Sequence, residues 1–333
     1  LFYNPKIGPF RQKQTVNEYI INTVKDTLSK FIISANARSR GLNDTTQTFN
    51  INTLHDLGKN MSHYFTENML NTLFNETSGY LQINTTLLSI PWELVWYNKE
   101  FLFEKHINYR MFPMHEKVEA KTDFTYPIKC LYISDPTKSL KHEFVERSYM
   151  EDVIKQMPAL KGRIKIDVVD DMTANEFKNI LIKGKYDIIH YTGHGAYRAH
   201  LKEPVIYFKQ STLKPSDIPD IKRAPKIIIF NACITAKEED IEFYAEIHKG
   251  FAQVFVEKGV NSFIGTLWPI RDYAAGKFAR AFYKNLFINN LSIASSLTQI
   301  KKEYCNDPDS FDITGYVLYS SNPTWRLIER KKS

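Results

Sequence analysis

The stretches YDIIHYTGHG, residues 186–195, and PKIIIFNAC, residues 225–233, are the two apolar runs that decide the fold. Each run is short, rich in isoleucine and aromatic residues, and bounded by glycine or proline, which is typical of a strand buried on both faces. Three more runs of this kind surround them: KCLYIS at 129–134, IKIDVVD at 164–170 and NSFIGTLWPI at 261–270. These five runs predict the central strands of one sheet.

Amphipathic stretches of helical period separate or follow most of these runs, at 143–158, 174–183, 240–258, 271–288 and 291–303. Strands that alternate with helices indicate a parallel sheet with right-handed crossovers. Residues 203–220 lack this period and predict a β excursion followed by a proline-punctuated loop. The pattern therefore predicts a doubly wound, mostly parallel α/β domain flanked by helices.

The first third of the chain has a different pattern. Apolar residues recur at helical spacing over 16–34 and 53–74, whereas 80–112 is rich in aromatic and β-branched residues and favours strands or hairpins. The polar, proline-terminated stretch at 118–127 is the best candidate for a boundary. We therefore expect an N-terminal helical and β lobe at 1–125 and a second domain at 126–333.

Composition restricts the class of protein. The chain has 333 residues, of which 43% are apolar, so it is long enough for a packed core, and no apolar run has the length of a bilayer-spanning helix. The net charge of +7 is spread over helix faces and loops, which favours a solvated surface over a nucleic-acid groove. The first 30 residues lack the layout of a signal peptide, and Leu1 in place of Met is consistent with a fragment or a processed product. We expect a soluble, cytoplasmic protein.

The cysteines give a further indication of compartment and chemistry. There are three of them, an odd number, and none forms a CxxC pair, which argues against a disulfide framework and against a zinc ribbon. We expect reduced thiols, no metal and no cofactor.

A histidine and a cysteine mark the ends of the two stretches quoted first. His194 follows the third predicted strand by one residue, and Cys233 ends the fourth. The carboxyl ends of parallel strands meet at one edge of the sheet, and consecutive strands of this kind are often neighbours. We therefore expect the imidazole and the thiol to come within a few ångströms of each other.

This pairing has a chemical purpose. A thiol with a pKa of about 8.5 is mostly protonated at neutral pH, and a nearby histidine promotes formation of the reactive thiolate. In this reading Gly193 permits a sharp exit from the strand, and the backbone N–H groups of Gly195 and Cys233 form an oxyanion hole. Taken singly, the cysteine is more readily read as a small buried hydrophobe and the histidine as a polar turn residue; their joint placement favours the functional reading.

The motifs HYTGHG at 190–195 and FNACIT at 230–235 resemble the histidine and cysteine motifs of caspase-like cysteine peptidases, and most closely those of the CHAT family. GVNSFIGTLWPIRDYAAGKFARAFYKNLF at 259–287, LLSIPWELVW at 87–96 and LYISDP at 131–136 resemble other segments of that family. The resemblance covers roughly residues 80–320. It implies that Cys233 is the nucleophile and His194 the general base and then acid in peptide-bond hydrolysis through a thioester.

The resemblance also implies roles for residues near the pair. Trp268 and Asp272 fall at the end of the next strand and, with Asn231, are candidates to line the peptide groove, although packing in the core explains Trp268 equally well. His190 lies four residues before His194 on the same strand and hence on the same face, where it either orients the pair or packs in the core; packing is favoured.

The chain departs from its relatives at two positions. Ala236 stands where the family often carries glycine, and Asn231 stands where metacaspases, which cut after basic residues, generally carry aspartate. An acidic specificity pocket is therefore not supported, and the substrate preference stays open.

The resemblance has implications for regulation as well. It implies that residues 1–125 form a degenerate, non-catalytic caspase-like lobe. CHAT domains commonly accompany TPR or sensor modules in bacterial defence systems, including CRISPR-linked ones, and are switched on by them; no such module is recognisable in this chain. We therefore expect a regulated effector whose partners are a protein substrate and such a module or complex.

Two other classes of protein are alternatives to the peptidase. A catalytically silent caspase-like scaffold has the same fold, but a silent chain is expected to have lost His194 or Cys233, and this chain retains both. A nucleotide-binding α/β protein needs a GxxxxGK[ST] loop or a GxGxxG turn, and the chain has neither.

Overall fold

The structure is a computed structural model that describes most of the chain. The described residues are 2–4, 8–10, 22–24, 26–30, 33, 50–85, 87–112, 126–138, 148, 151–152, 162–198, 203–234, 244–308 and 311–327. No helix among them is both long enough and apolar enough to cross a bilayer. Most of the predicted helices at 16–34 and 143–158 lies outside the described residues. Where they are described, at 22–24, 26–30 and 33 and at 148 and 151–152, they are helical.

The strands recur along the whole described chain. In order they are β1 (Phe2–Asn4), β2 (Gly8–Phe10), β3 (Gly79–Asn84), β4 (Trp96–Tyr97), β5 (Glu100–Phe101), β6 (His106–Met111), β7 (Ile128–Ser134), β8 (Ile164–Val169), β9 (Ile188–Arg198), β10 (Glu203–Phe208), β11 (Ser211–Leu213), β12 (Ile227–Ile234), β13 (Ser262–Thr266) and β14 (Tyr316–Ser320). All five predicted central strands are present, as β7, β8, β9, β12 and β13.

The helices are α1 (Ile51–Ser62), α2 (Glu67–Asn71), α3 (Leu102–Lys105), α4 (Ala174–Lys183), α5 (Tyr244–Glu257), α6 (Asp272–Tyr283) and α7 (Ile293–Tyr304). The first turn of α4 shows how sequence sets a boundary: the Thr173 hydroxyl accepts from the Glu176 N–H, and the Glu176 carboxylate accepts from the Thr173 N–H. Gly184 then ends α4 in the left-handed conformation, with φ of 57°. Short π-helical turns continue α2 over Thr72–Glu76 and α6 over Lys284–Ile288.

One twelve-stranded sheet organises the molecule. Its order is β11-β10-β9-β12-β13-β14-β6-β3-β1-β2, and β7 joins β9 with β8 outside it. The pairs β8–β7, β7–β9, β9–β12 and β12–β13 are parallel, whereas β9–β10 and β13–β14 are antiparallel. The predicted β excursion at 203–220 is the hairpin of β10 and β11.

Helices cover both faces of this sheet. On one face, Phe230 of β12 packs against Phe251 and Phe255 of α5. On the other, Tyr316 of β14 stacks on Phe278 of α6, with ring centroids 3.6 Å apart. The prediction of a doubly wound, mostly parallel α/β fold flanked by helices is therefore confirmed.

Strands from the first third of the chain extend the same sheet. β6 pairs with β14 through Arg110 and Tyr319, and β3 pairs with β6 over six residues. The predicted boundary at 118–127 lies outside the described residues except for 126 and 127. The predicted N-terminal lobe and second domain thus share one continuous sheet.

A buried ion pair holds the LLSIPWELVW segment against β6. The guanidinium of Arg110, which is fully buried, donates to both carboxylate oxygens of Glu93, over 2.8 and 2.7 Å, and to the carbonyls of Leu88 and Ile90. Burial disfavours the charged carboxylate, but the charge and the hydrogen bonds of Arg110, together with the charge of Lys301, outweigh this effect and lower the pKa of Glu93. Because all of these groups are satisfied by one another, this motif serves the packing of the fold.

Candidate active site

Cys233 and His194 stand opposite each other on neighbouring strands. β9 and β12 pair in parallel register from Ile188 with Ile227 onward, and this register brings Cys233 level with His194. Adjacent strands lie about 4.8 Å apart, and residues paired in register occupy the same face of a sheet. The backbone positions of Cys233 and His194 are therefore level with each other on one face of the sheet, near the end of β12.

The backbone around His194 differs from the expected turn. β9 continues beyond His194 to Arg198, and Gly195 is paired in register with Ile234 on one side and with Ile206 on the other. The prediction that Gly193-His194-Gly195 forms a turn after the strand is wrong: these residues lie inside a long strand. The strand continues because β10 folds back on its far end as an antiparallel partner.

Gly193 accommodates an aromatic ring. A Cβ built at this position would lie 2.5 Å from the hydroxyl oxygen of Tyr191 and 2.7 Å from its Cζ, which real side chains do not tolerate. Gly193 does not have a positive φ. The glycine is therefore required by the close approach of Tyr191, two residues earlier on the same face, and not by a sharp exit from the strand.

A polar layer lies next to the pair, one step back along the strands. Thr192 is in register with Asn231, and both side chains are buried. The hydroxyl of Tyr132 lies 3.1 Å from the Thr192 hydroxyl, and the hydroxyl of Tyr316 donates to Oδ1 of Asn231 over 2.9 Å. Asn231, predicted as a groove residue, is thus fixed by Tyr316 at a buried position two residues before Cys233.

His190 lies deeper on the same face. It is 1% exposed, its Nδ1 lies 2.7 Å from the hydroxyl of Tyr283 on α6, and its ring meets Tyr132 edge-on at 5.1 Å. The register pairs it with Ile229, four residues before Cys233. These contacts agree with the packing alternative, and they connect the face that carries His194 to α6.

The WPIRD turn follows β13 at the same edge. Trp268 is fully buried and donates from Nε1 to the Asp312 carbonyl over 2.9 Å, so the structure places its side chain in the core. The carboxylate of Asp312 accepts from the backbone N–H, Nε and Nη2 of Arg271. Asp272 begins α6 directly after this turn and is partly exposed.

The other two cysteines lie in the interior of the protein. Cys130 in β7 and Cys305 after α7 are free and buried. Burial raises the pKa of the Cys130 thiol far above its ordinary value and that of Cys305 to about 11. Both thiols are therefore protonated and unreactive at neutral pH.

Sequence reasoning did not identify Tyr191, Tyr316 and Asp312, each of which holds part of the site. The signal for Tyr191 was present, because a glycine inside a strand often marks a close approach of a neighbouring group. Tyr316 lies 85 residues from Asn231, and Asp312 lies 44 residues from Trp268, so no local pattern connects these contacts.

The fold and the register define an α/β protein with a cysteine and a histidine level with each other on two neighbouring parallel strands. The family model for the CHAT domain matches residues 80–322, which is most of the chain. The chain therefore belongs to the CHAT domain family, as its motifs predict. A search of curated proteins finds no match.

Solved structures resemble the chain at low identity. The Arg-specific cysteine proteinase gingipain R of Porphyromonas gingivalis is 11% identical, with a TM-score of 0.48, over 93% of this chain and 76% of that one. Separase in complex with securin, from Saccharomyces cerevisiae, is 12% identical, with a TM-score of 0.44, over 92% of this chain and 22% of that one. The Drosophila initiator caspase Dronc is 7% identical, with a TM-score of 0.33, over 62% of this chain and 87% of that one.

Proposed function

We propose that this protein is a cysteine endopeptidase that acts through Cys233 and His194. The observation that carries the proposal is the parallel register that brings these two positions level on the neighbouring strands β9 and β12. Membership in the CHAT domain family supports it. The buried, protonated thiols of Cys130 and Cys305 leave Cys233 as the cysteine suited to nucleophilic attack.

The chemistry takes two steps. In the first, His194 accepts the thiol proton of Cys233 as the sulfur attacks the scissile carbonyl carbon, and it then donates that proton to the nitrogen of the leaving amine. The product is a thioester on Cys233. In the second step, His194 removes a proton from water, the hydroxide attacks the thioester, and the C–S bond breaks to release the acid and restore the thiol.

The backbone N–H groups of Gly195 and Cys233 are the proposed donors to the oxyanion of each tetrahedral intermediate. A donor of this kind contributes about 3 kcal/mol to the stability of the transition state. Gly195 is paired in register with strands on both sides. Its proposed role therefore requires that the Gly195 N–H point to the substrate, and not to a neighbouring strand, when a peptide enters the site.

The peptide groove is proposed to lie along the edge that carries the pair. Asn231 is next to Cys233 on its face and Asp272 opens the neighbouring helix, so both remain candidates for substrate contact. Trp268 is buried, so its proposed role is to support the WPIRD turn by packing in the core beneath the groove.

The regulatory setting is proposed from the family alone. CHAT domains are commonly switched on by TPR or sensor modules in bacterial defence systems, including CRISPR-linked ones, and the chain is proposed to be a cytoplasmic effector of this type, acting on a protein substrate. The region at 1–125 is proposed to be a degenerate caspase-like lobe that does not carry catalysis.

The test compares new protein N-termini in a lysate treated with the wild-type chain, with Cys233→Ala and with His194→Ala, in the presence of candidate activating modules. Cuts made by the wild type and lost in both variants support the peptidase. Cys305→Ala is the matched control, because it removes a buried thiol away from the site and is expected to cut like the wild type. Cuts that persist in Cys233→Ala exclude this nucleophile, and absence of cuts with every activator favours a catalytically silent scaffold.

A further inference from the structure

The partner strand of β9 changes at the catalytic histidine. On one side of β9 the parallel pairing with β7 reaches Thr192, whose carbonyl accepts from the Asp135 N–H over 2.8 Å. The antiparallel pairing with β10 occupies the same side and, in the described strands, begins at Gly195. His194 therefore lies where the neighbour of β9 on this side changes from the parallel strand β7 to the antiparallel strand β10.

A tyrosine hydroxyl bridges this interval. Tyr191 folds back over Gly193 and donates its hydroxyl to the His194 carbonyl, over 3.1 Å, and to the Tyr207 carbonyl of β10. The hydroxyl proton is thus shared between a carbonyl of β9 and a carbonyl of β10. The Tyr191 ring is fully buried and packs against Phe208 and Phe230, and these contacts fix its position.

The hydroxyl is suited to a permanent role as donor. Burial raises the pKa of Tyr191 far above its ordinary value, so the hydroxyl stays protonated at neutral pH. The absence of a Cβ at Gly193 is what lets the ring reach this place. The HYTGHG motif therefore contains a tyrosine, a glycine and a histidine whose positions depend on one another.

We propose that Tyr191 is a positioning residue, which fixes the backbone of His194 and through it the imidazole relative to Cys233. The proposal rests on the proposed function, since it assumes that His194 activates Cys233. It assigns to the tyrosine no contact with substrate. It explains why the strand bears glycine immediately before the histidine.

The test measures the rate at which iodoacetamide alkylates Cys233 in the full chain as a function of pH, by mass spectrometry of the peptide that carries it. Tyr191→Phe removes only the hydroxyl. We expect the rate at pH 7 to fall roughly two- to tenfold, the range that the loss of one hydrogen bond predicts, and the pH profile to move toward that of His194→Ala. A role confined to folding would change the thermal stability but leave this profile in place.

Tyr109→Phe is the matched control. It also removes the hydroxyl of a buried tyrosine, one that donates to Gln82 in the N-terminal strands, and its pH profile should equal that of the wild type. A Tyr191→Phe profile that coincides with the wild type, while His194→Ala differs, overturns the positioning role and leaves the proposed function intact. A wild-type profile that does not depend on His194 overturns the proposed function, and the positioning role with it.

Gly193→Ala provides a second, independent arm. Its new Cβ displaces the Tyr191 ring while the hydroxyl is retained, so it should slow alkylation in the same direction. Because both changes break one contact, the double variant Tyr191→Phe, Gly193→Ala should be no slower than Gly193→Ala alone. Losses that multiply in the double variant would show that the two residues act separately and would overturn the proposal.

Discussion

Cys233 pairs in register with His194 across two adjacent parallel strands, although 38 residues separate them in the chain. The pairing is a property of the backbone ladder, which begins at Ile188 and Ile227 and runs without interruption to Gly195 and Ile234. A shift of one residue would place the two positions on opposite faces of the sheet. The alignment of the proposed nucleophile with its base is therefore fixed by the buried apolar part of both strands.

The first prediction concerns the selectivity of thiol modification. Brief treatment of the native chain with iodoacetamide at pH 7.5 should modify Cys233 and spare Cys130 and Cys305, because burial keeps both of those thiols protonated. Peptide mapping by mass spectrometry measures the three sites separately. All three should react after unfolding in guanidinium chloride, and native labelling of Cys130 at a rate similar to Cys233 would contradict the prediction.

The central sheet and the approximate position of the pair could be predicted from the sequence because both depend on local patterns. Continuous apolar runs such as IIIF at 227–230 identify buried strands, and parallel strands end at the same edge. The length of β9 could not be predicted in this way. The length of β9 depends on β10, which pairs with residues 195–198 of β9 and so keeps the Gly-His-Gly segment extended.

The contacts that hold Asn231 and Trp268 could not be predicted from local patterns, because their partners are distant in the chain. Asn231 is held by Tyr316, and Trp268 by Asp312, across 85 and 44 residues of chain. Such pairs exist only once the sheet and its helices have assembled. The predicted groove role of Trp268 drew on its place at a strand end, whereas its burial follows from β14 and the turn before it.

The second prediction tests the specificity of the proposed groove. Asn231→Asp keeps an acceptor for the Tyr316 hydroxyl and has almost the same shape, but it introduces a negative charge two residues before Cys233. We expect cleavage after Arg or Lys to increase relative to cleavage after other residues, because a carboxylate beside the proposed nucleophile attracts a positively charged side chain. The measurement is the sequence logo of Cys233-dependent cuts in a lysate.

Tyr316→Phe is the control for this change, since it removes the hydrogen bond to Asn231 without adding charge. It should alter the total rate of cleavage and leave the preference for the residue before the cut unchanged. An unaltered logo for Asn231→Asp, at measurable activity, would place Asn231 outside the substrate pocket.

The third prediction concerns the turn after β13. Gly315→Ala would place a Cβ 2.5 Å from the Trp268 ring, so the tryptophan or the chain before β14 has to move. We expect the free energy of unfolding to fall by about 2 kcal/mol or more, as for an overpacked core. Urea denaturation followed by tryptophan fluorescence measures the change. Gly162→Ala is the comparison in open space, where the added Cβ meets no neighbour and the cost arises only from its positive φ of 78°.

The fourth prediction concerns a lysine buried beside the Arg110–Glu93 pair. Lys301 on α7 is 3% exposed, and burial lowers its pKa to about 8, although the Glu93 carboxylate opposes the shift. Below about pH 8 the folded protein has to bury an ammonium group. Glu93 already receives two hydrogen bonds from Arg110, so removal of the lysine charge leaves no unpaired carboxylate. Lys301→Met should therefore raise the free energy of unfolding at pH 7 by about 1 to 3 kcal/mol.

The pH dependence gives the sign of this effect. Between about pH 8 and the ordinary lysine pKa of 10.5, Lys301 is neutral in the folded protein and still protonated in the unfolded chain. The unfolded state then binds more protons, so the contribution of this group to stability rises with pH, and the advantage of Lys301→Met should shrink from pH 7 to pH 9.5. Urea titrations of both proteins at the two pH values measure it. Lys302→Met, at the exposed neighbouring position, should show no such trend; a Lys301→Met variant that is less stable than the wild type at pH 7 would mean that the ammonium makes a favourable contact.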